Sequence, residues 1–206
     1  GKNSINIKKI ALLGLLALTV SNQTYTIQSI QTLINNGELP QIDGDGALDL
    51  SNKGLTSLEG IQSIPQEQRD RTTKLYLGEN QITEIPIDAF NGLPNLQALS
   101  LGRNKITTIT EGSFNGLANL KILELGSNQI TTITAGSFKG LANLQELYLG
   151  ATQIKEIPID AFNGLINLKT LNLANNQITT ITAGSFNGLI NLQELNLMLN
   201  QIRTVP

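Results

Sequence analysis

The sequence predicts an α/β solenoid, a fold in which short units of similar sequence stack along one axis. Two observations carry this prediction. Leucines recur every 24 residues, at Leu96, Leu120, Leu144, Leu168 and Leu192. Phenylalanines recur with the same period, at Phe90, Phe114, Phe138, Phe162 and Phe186. A fixed period of this length indicates units that bury their apolar faces only against their neighbours.

Each unit is predicted to contain one short strand. In the unit that starts at Leu120, Leu123 and Leu125 alternate with Ile122 and Glu124. A period of two is typical of a strand with one buried face. Stacking the units therefore places the strands side by side and parallel, with their leucines inward and the intervening residues toward solvent.

A column of polar residues follows these strands, where the chain bends away from the sheet. Its members are Asn80, Asn104, Asn128, Thr152, Asn176 and Asn200. An asparagine amide has both donors and an acceptor, so it can satisfy backbone groups that lose their sheet partners. We expect a buried polar ladder rather than a series of ordinary turn residues. The Thr152 hydroxyl replaces only part of an amide, and an unsatisfied buried group costs about 1–3 kcal/mol, so its unit should be the least stable.

The five phenylalanines are predicted to stack into a spine beneath the convex side of the solenoid. Large aromatic side chains fill the space that short strands leave open. The alternative is an aromatic stripe that binds a ligand, but strict repetition favours a role in the core.

The repeated pattern LxxLxLxxNxIxxIxxxxFxGLxN resembles the typical 24-residue class of leucine-rich repeats. The resemblance covers units that begin at residues 72, 96, 120, 144 and 168, and a sixth unit that is cut short after Pro206. Residues 48–58 look like a degenerate earlier unit, with Lys53 where asparagine is expected, so the solenoid should span residues 48–206. The resemblance implies a curved, right-handed superhelix with a parallel sheet on its concave face, and a role in binding proteins.

Composition limits the chemistry available to the chain. It has 206 residues, a net charge of −2, and no His or Cys. A Ser-His-Asp or Cys-His arrangement and a thiolate metal site therefore cannot be built. We expect no enzymatic activity, no cofactor, no metal and no small-molecule substrate. The charges show little clustering, so there is no basic surface for nucleic acid.

Residues 1–23 allow two interpretations. Lys8 and Lys9 precede an apolar run from Ile10 to Val20, and polar residues follow it. This order is typical of a secretory signal segment, and the run is too short for a bilayer, which needs about 20 residues. The alternative is a buried helix over residues 7–20. The first interpretation predicts a secreted or cell-surface protein, and the second predicts a cytoplasmic one.

Residues 24–47 are predicted to form a helical cap and a turn, because the first unit of a solenoid needs a cover. Apolar residues recur here at helical spacing, at Tyr25, Ile27, Ile30, Leu33 and Ile34. Gly37 and Pro40 then supply stop signals.

The turn itself is rich in carboxylates, at Asp43, Asp45 and Asp49. Calcium loops use alternate carboxylates, but Ala47 occupies the third ligand position and no glutamate follows at the required spacing. A glycine-rich turn that leads into the first strand is the favoured interpretation.

The predicted function is protein–protein interaction through the concave face, in an exported bacterial protein whose partner the sequence does not identify. The lack of cysteine favours a bacterial source, since animal extracellular relatives usually carry Cys-rich caps. Tyrosine and arginine are enriched at interfaces. The candidate binding residues are Tyr76, Arg103, Glu124, Tyr148, Asn172 and Asn196. The alternative is a structural spacer or self-assembling element, which would associate through an uncapped C-terminal end.

Overall fold

The computed structural model describes residues 17–20, 23–26 and 28–206. Within the described residues, two helices, α1 (Ile30–Asn35) and α2 (Gln66–Arg71), and a 3-10 turn at Ile61–Ser63 precede β4. The strands are β1 (Ala17–Val20), β2 (Gln23–Thr26), β3 (Ala47–Asp49), β4 (Lys74–Tyr76), β5 (Ala98–Ser100), β6 (Ile122–Glu124), β7 (Glu146–Tyr148), β8 (Glu156–Ile157), β9 (Thr170–Asn172), β10 (Thr180–Ile181) and β11 (Glu194–Asn196).

One parallel sheet of seven strands runs through the repeats in the order β11-β9-β7-β6-β5-β4-β3. Its register advances one unit at a time, so that Leu75 pairs with Leu99, and Leu99 with Leu123. These central leucines are at most 1% exposed, because each points inward between two strand neighbours. The predicted solenoid and its parallel sheet are confirmed.

The five phenylalanines stack in the core, one for each unit. Neighbouring ring centroids lie 6.0–6.4 Å apart, and the planes of neighbouring rings differ by at most 17°. Phe90, Phe114, Phe138 and Phe162 are fully buried, whereas Phe186 in the last stacked position is only partly buried. Outside the main sheet, β8 and β10 form a separate two-stranded parallel pair.

The N-terminal segment departs from the predicted helix. β1 and β2 form an antiparallel pair, with Leu18 opposite Tyr25. The predicted helix is therefore wrong for residues 24–26, which lie in β2, and the alternative helix over residues 7–20 is wrong for residues 17–20, which form β1. The threonines of β1 and β2, Val20 and Tyr25 favour strands. The remaining part of the signal-or-helix alternative, residues 1–16 with 21 and 22, lies outside the described residues.

Helix α1 is shorter than predicted and lies against the first unit. It begins after Ser29, whose Oγ accepts a hydrogen bond from Thr32 N at 3.2 Å, as an N-cap residue does. Ile30 and Leu33 are buried in the same core as Leu48. Gln31 N also donates to the carbonyl of Glu59 at 2.9 Å, which fixes the helix to the unit beneath it.

The aspartate-rich turn is organised by its own backbone. Asp43 Oδ1 accepts hydrogen bonds from Asp45 N at 2.8 Å and from Ala47 N at 2.9 Å. These two bonds hold the pKa of Asp43 below its usual value. The carboxylate therefore shapes the turn that leads into β3.

Candidate binding surface

The concave face of the main sheet presents two rows of outward side chains. Strand pairing places the residues of each row in register, one per unit, about 4.8 Å apart. The first row consists of Asp49, Tyr76, Ser100, Glu124, Tyr148, Asn172 and Asn196. The second row lies two residues upstream and consists of Lys74, Ala98, Ile122, Glu146, Thr170 and Glu194. Five of the six candidate binding residues belong to the first row.

The two tyrosines of the first row differ in their surroundings. The Tyr76 side chain is 37% exposed. Tyr148 is half-buried, and its hydroxyl donates a hydrogen bond to Glu146 Oε2 at 2.6 Å. That bond, burial of the phenol, and the negative charges of Glu146, Glu194 and Glu124 together raise the pKa of Tyr148 to about 12.

The two asparagines of the first row are partly committed to the fold. Asn172 Oδ1 accepts a hydrogen bond from Ala174 N at 2.9 Å, and Asn196 Oδ1 accepts one from Met198 N at 3.0 Å. Each oxygen therefore supports the turn after its own strand. The Nδ2 groups are the atoms left to bond a ligand at these two positions.

Arg103 lies outside the two rows, in the turn that follows β5. Its φ is 55°, and its guanidinium lies 3.6 Å from a carboxylate oxygen of Glu79 in the preceding unit. Both side chains are well exposed. A binding role for Arg103 would therefore involve the rim of the concave face rather than its centre.

The asparagine column lies behind the strands, inside the solenoid. Asn128 is 5% exposed, and its Nδ2 donates to the carbonyls of Leu101 at 3.0 Å and Leu125 at 2.9 Å. Its Oδ1 accepts a hydrogen bond from Ile106 N at 3.0 Å. One amide thus links two successive units. Carbonyls of two successive units are bonded in the same way by Asn80, Asn104, Asn176 and Asn200.

Two further columns of polar residues were not predicted from the sequence. Buried serines donate to carbonyls of the preceding unit: Ser113 to Ile85, Ser137 to Ile109, and Ser185 to Ile157. Exposed asparagines do the same at the start of the strands, as Asn119 Nδ2 does to Pro94 O at 2.9 Å. The 24-residue recurrence of both columns is visible in the sequence and is the signal that could have revealed them.

These asparagines line a shallow polar groove of about 490 Å³. Its lining residues are Asn95, Asn119, Asn143, Asn167 and Asn191, together with Gln97, Lys121, Gln145, Lys169 and Gln193. A second depression, of about 410 Å³, lies on the concave face itself. It is lined by Ile122, Glu124, Gly126, Tyr148, Gly150 and Asn172, and we call it the concave pocket.

A solenoid with stacked leucines, an asparagine ladder and a parallel concave sheet defines a leucine-rich repeat protein, a fold that is generally a binding scaffold. Six copies of the BspA-type leucine-rich repeat region match residues 78–205. The chain belongs to this family. No curated protein sequence matches the chain.

Two solved structures show what the solenoid is similar to. One is the crystal structure of a TLR13–ssRNA13 complex, with 28% identity and a TM-score of 0.67, covering 84% of this chain and 27% of that one. The other is an octameric complex of latrophilin 3, Unc5D and the leucine-rich repeats of FLRT2, with 27% identity and a TM-score of 0.64. That match covers 75% of this chain and 45% of the other. The chain thus spans less than half the length of either similar protein. Among the described residues, no helix is long and apolar enough to cross a membrane.

Proposed function

We propose that this protein is a protein-interaction module that binds a macromolecular partner on its concave face. The observation that carries the proposal is the in-register row of outward side chains on an uninterrupted seven-stranded sheet. Tyr76 and Tyr148 lie three strands apart in that row, about 14 Å from each other at about 4.8 Å per strand. That spacing suits a protein surface better than a small molecule.

The comparisons support a binding role. The TLR13 structure holds an RNA, and the FLRT2 structure holds other proteins. For this chain a protein partner fits better than a nucleic acid, because Glu124, Glu146 and Glu194 occupy the concave rows and the net charge is −2. The carboxylates would repel phosphate groups. Neither His nor Cys is available for catalysis, which favours a binding protein over an enzyme.

The test is partner capture by the immobilised chain, followed by titration of each captured protein. The variant carries Tyr76→Ala and Tyr148→Ala. The matched control carries Ile87→Ala and Ile159→Ala, two residues that are also three units apart, are 60% and 56% exposed, and lie in the loops that lead away from the sheet. The proposal expects the tyrosine variant to bind at least tenfold more weakly, since hot-spot truncations cost about 2 kcal/mol or more. Equal affinities of the tyrosine variant and the parent for every captured partner would contradict it.

We also propose that the protein is exported by a bacterium and acts at the cell surface or outside the cell. The charged and apolar order of residues 8–20 and the family assignment support this location. Fractionation of cells that express the full gene product tests it. Recovery of the protein only from the cytoplasm would contradict it.

The second candidate function is structural, through self-association. It is favoured by exposed apolar side chains in the turn after β11, where Met198 is 69% and Leu199 is 75% exposed. Sedimentation over a range of concentrations separates the two functions. The sedimentation coefficient of a self-assembling element increases with concentration, and this increase disappears when Met198 and Leu199 are changed to Gln. A binding module sediments as a monomer at every concentration.

A further inference from the structure

The concave pocket combines an apolar wall with a charged rim. Ile122 is 37% exposed and lines the pocket together with the half-buried Tyr148. Gly126 and Gly150 line it without side chains, which leaves a space of about 410 Å³. A ligand group that enters here meets an alkyl surface, an aromatic ring and then carboxylates.

One glutamate lines this pocket, and two others lie on the same concave face. Glu124 lines the pocket, and Glu146 accepts a hydrogen bond from the hydroxyl of Tyr148. Glu194 lies on the same concave face, two strands beyond Tyr148. All three raise the pKa of Tyr148 through their charge, so their negative potential reaches the ring. Glu124 Oε2 accepts a hydrogen bond from the Ser100 hydroxyl at 2.9 Å. This bond orients the Glu124 carboxylate toward the preceding strand.

The lysines and arginines of the described residues do not neutralise these three glutamates. Within residues 28–206 no lysine or arginine forms an ion pair with any of these three glutamates, since the ion pairs join Arg71 to Glu67, Arg103 to Glu79 and Lys139 to Glu111. Lys121 and Lys169 line the separate polar groove. The carboxylates at the pocket are therefore open to a cation from outside the chain.

Resting on the proposed function, we propose that the concave pocket receives an arginine or lysine side chain from a basic segment of the protein partner. The long alkyl part of such a side chain packs against Ile122 and the Tyr148 ring, as long cationic side chains do on apolar surfaces. The cationic head then meets the ring face and the carboxylates, which both attract it. A guanidinium fits best, because its plane can stack on the phenol while its N–H groups bond carboxylate oxygens.

Charge complementarity selects this occupant over others. An acidic segment would meet three carboxylates with no compensating cation. A purely apolar side chain would contact Ile122 and Tyr148 but would leave the charged rim to solvent. The pocket therefore specifies a partner that carries its positive charge on an extended, accessible segment.

The test uses a defined probe, because the partner is unidentified. The probe is an acetylated and amidated pentapeptide of sequence Gly-Arg-Gly-Arg-Gly, and its neutral counterpart carries citrulline in place of both arginines. Binding is followed by the amide shifts of the isotope-labelled chain. We expect saturable shifts at Gly126, Tyr148 and Gly150 with the arginine peptide, and roughly fivefold weaker binding when Glu124 and Glu194 are both changed to Gln. The matched control changes Glu84 and Glu156, two exposed glutamates outside the concave rows, to Gln and should leave the affinity unchanged.

Equal shifts with the citrulline peptide, or shifts confined to other parts of the surface, would overturn the inference. Its failure is distinguishable from failure of the proposed function. If the Glu124→Gln and Glu194→Gln changes leave probe binding and partner binding intact while the tyrosine variant loses the partner, concave binding stands and the cationic anchor does not.

Discussion

Thr152 Oγ1 donates its hydrogen bond to Asn176 Oδ1, a side chain of the next unit. At the equivalent position Asn128 bonds backbone groups of two units. Elsewhere in the column the asparagine oxygen accepts a hydrogen bond from a backbone N–H of the preceding unit, as Asn128 Oδ1 does from Ile106 N. The equivalent donor for position 152 is the N–H of Ile130, and Thr152 has no amide oxygen to accept its bond. Among the described residues, that N–H has no hydrogen-bond acceptor. The ladder therefore continues through Thr152 but leaves one backbone donor behind it unsatisfied.

Replacing Thr152 by asparagine should repair this gap. The new amide oxygen can accept from Ile130 N, as Asn176 Oδ1 accepts from Ile154 N at 3.0 Å. Satisfying a buried donor is worth about 1–2 kcal/mol, and urea unfolding should show an increase of that size. The control is Thr107→Asn, the same change at an exposed position. An unchanged midpoint for Thr152→Asn would show that Ile130 N–H is already satisfied.

Alanine substitution should lower the free energy of unfolding by different amounts at Asn128 and at Thr152. Asn128→Ala leaves two carbonyls and one N–H without their partner, so we expect a loss of about 3 kcal/mol or more. Thr152→Ala removes only the bonds of one hydroxyl, for which we expect about 1 kcal/mol. Denaturant unfolding of both variants gives the comparison. Equal losses would mean that burial of the side chain, rather than its hydrogen bonds, decides stability in this column.

The sequence was sufficient for the solenoid because the same pattern occurs in unit after unit. A side chain such as Leu123 meets equivalent neighbours above and below, so one interpretation serves every repeat. The segment before the first repeat has no such constraint. Tyr25 fits a helical period, but its strand neighbours and the cap at Ser29 place the start of the helix at Ile30.

The candidate site could be predicted only in part. The alternation within each strand places Tyr76 and Tyr148 on the outward face, as the register shows. The hydrogen bond from Tyr148 to Glu146 depends on side-chain rotamers, which no spacing rule specifies. The concave pocket also depends on the absence of side chains at Gly126 and Gly150, whose effect appears only once the strands are stacked.

The phenylalanine stack predicts a gradient of stability along the solenoid. Phe138 is 1% exposed and lies between two rings, with centroids 6.4 and 6.0 Å away. Phe138→Ala should cost about 3–5 kcal/mol. Phe186 contacts one ring of the stack and is only partly buried, so Phe186→Ala should cost clearly less. Thermal unfolding of the two variants tests this order, and a larger loss for Phe186→Ala would reverse it.

Gly60 allows helix α1 to approach the first unit closely. Its φ is 103°, and a Cβ at this position would overlap the backbone of Gln31. Gly60→Ala should therefore displace α1 and expose Ile30. The control is Gly54→Ala, where φ is also positive at 68° but no atom lies within 4 Å of the added Cβ. Hydrogen exchange at Leu33 should quicken in the Gly60 variant alone, and equal exchange in both variants would show that the close approach is not needed.

Tyr148 should make stability depend on pH in the alkaline range. Its pKa is about 12 in the folded chain and about 10 in an unfolded one. Between these values the unfolded state releases the phenol proton more readily, so unfolding becomes easier as pH rises. The stabilisation is fully present below about pH 10 and is lost by about pH 12.

The measurement compares the free energy of unfolding of the parent with that of Tyr148→Phe. Other alkaline ionisations cancel in this difference. The difference should decline between these two pH values, and Glu146→Gln should make the decline smaller and end it at a lower pH, because it lowers only the pKa of the folded state. A constant difference would mean that the hydrogen bond to Glu146 does not persist in solution.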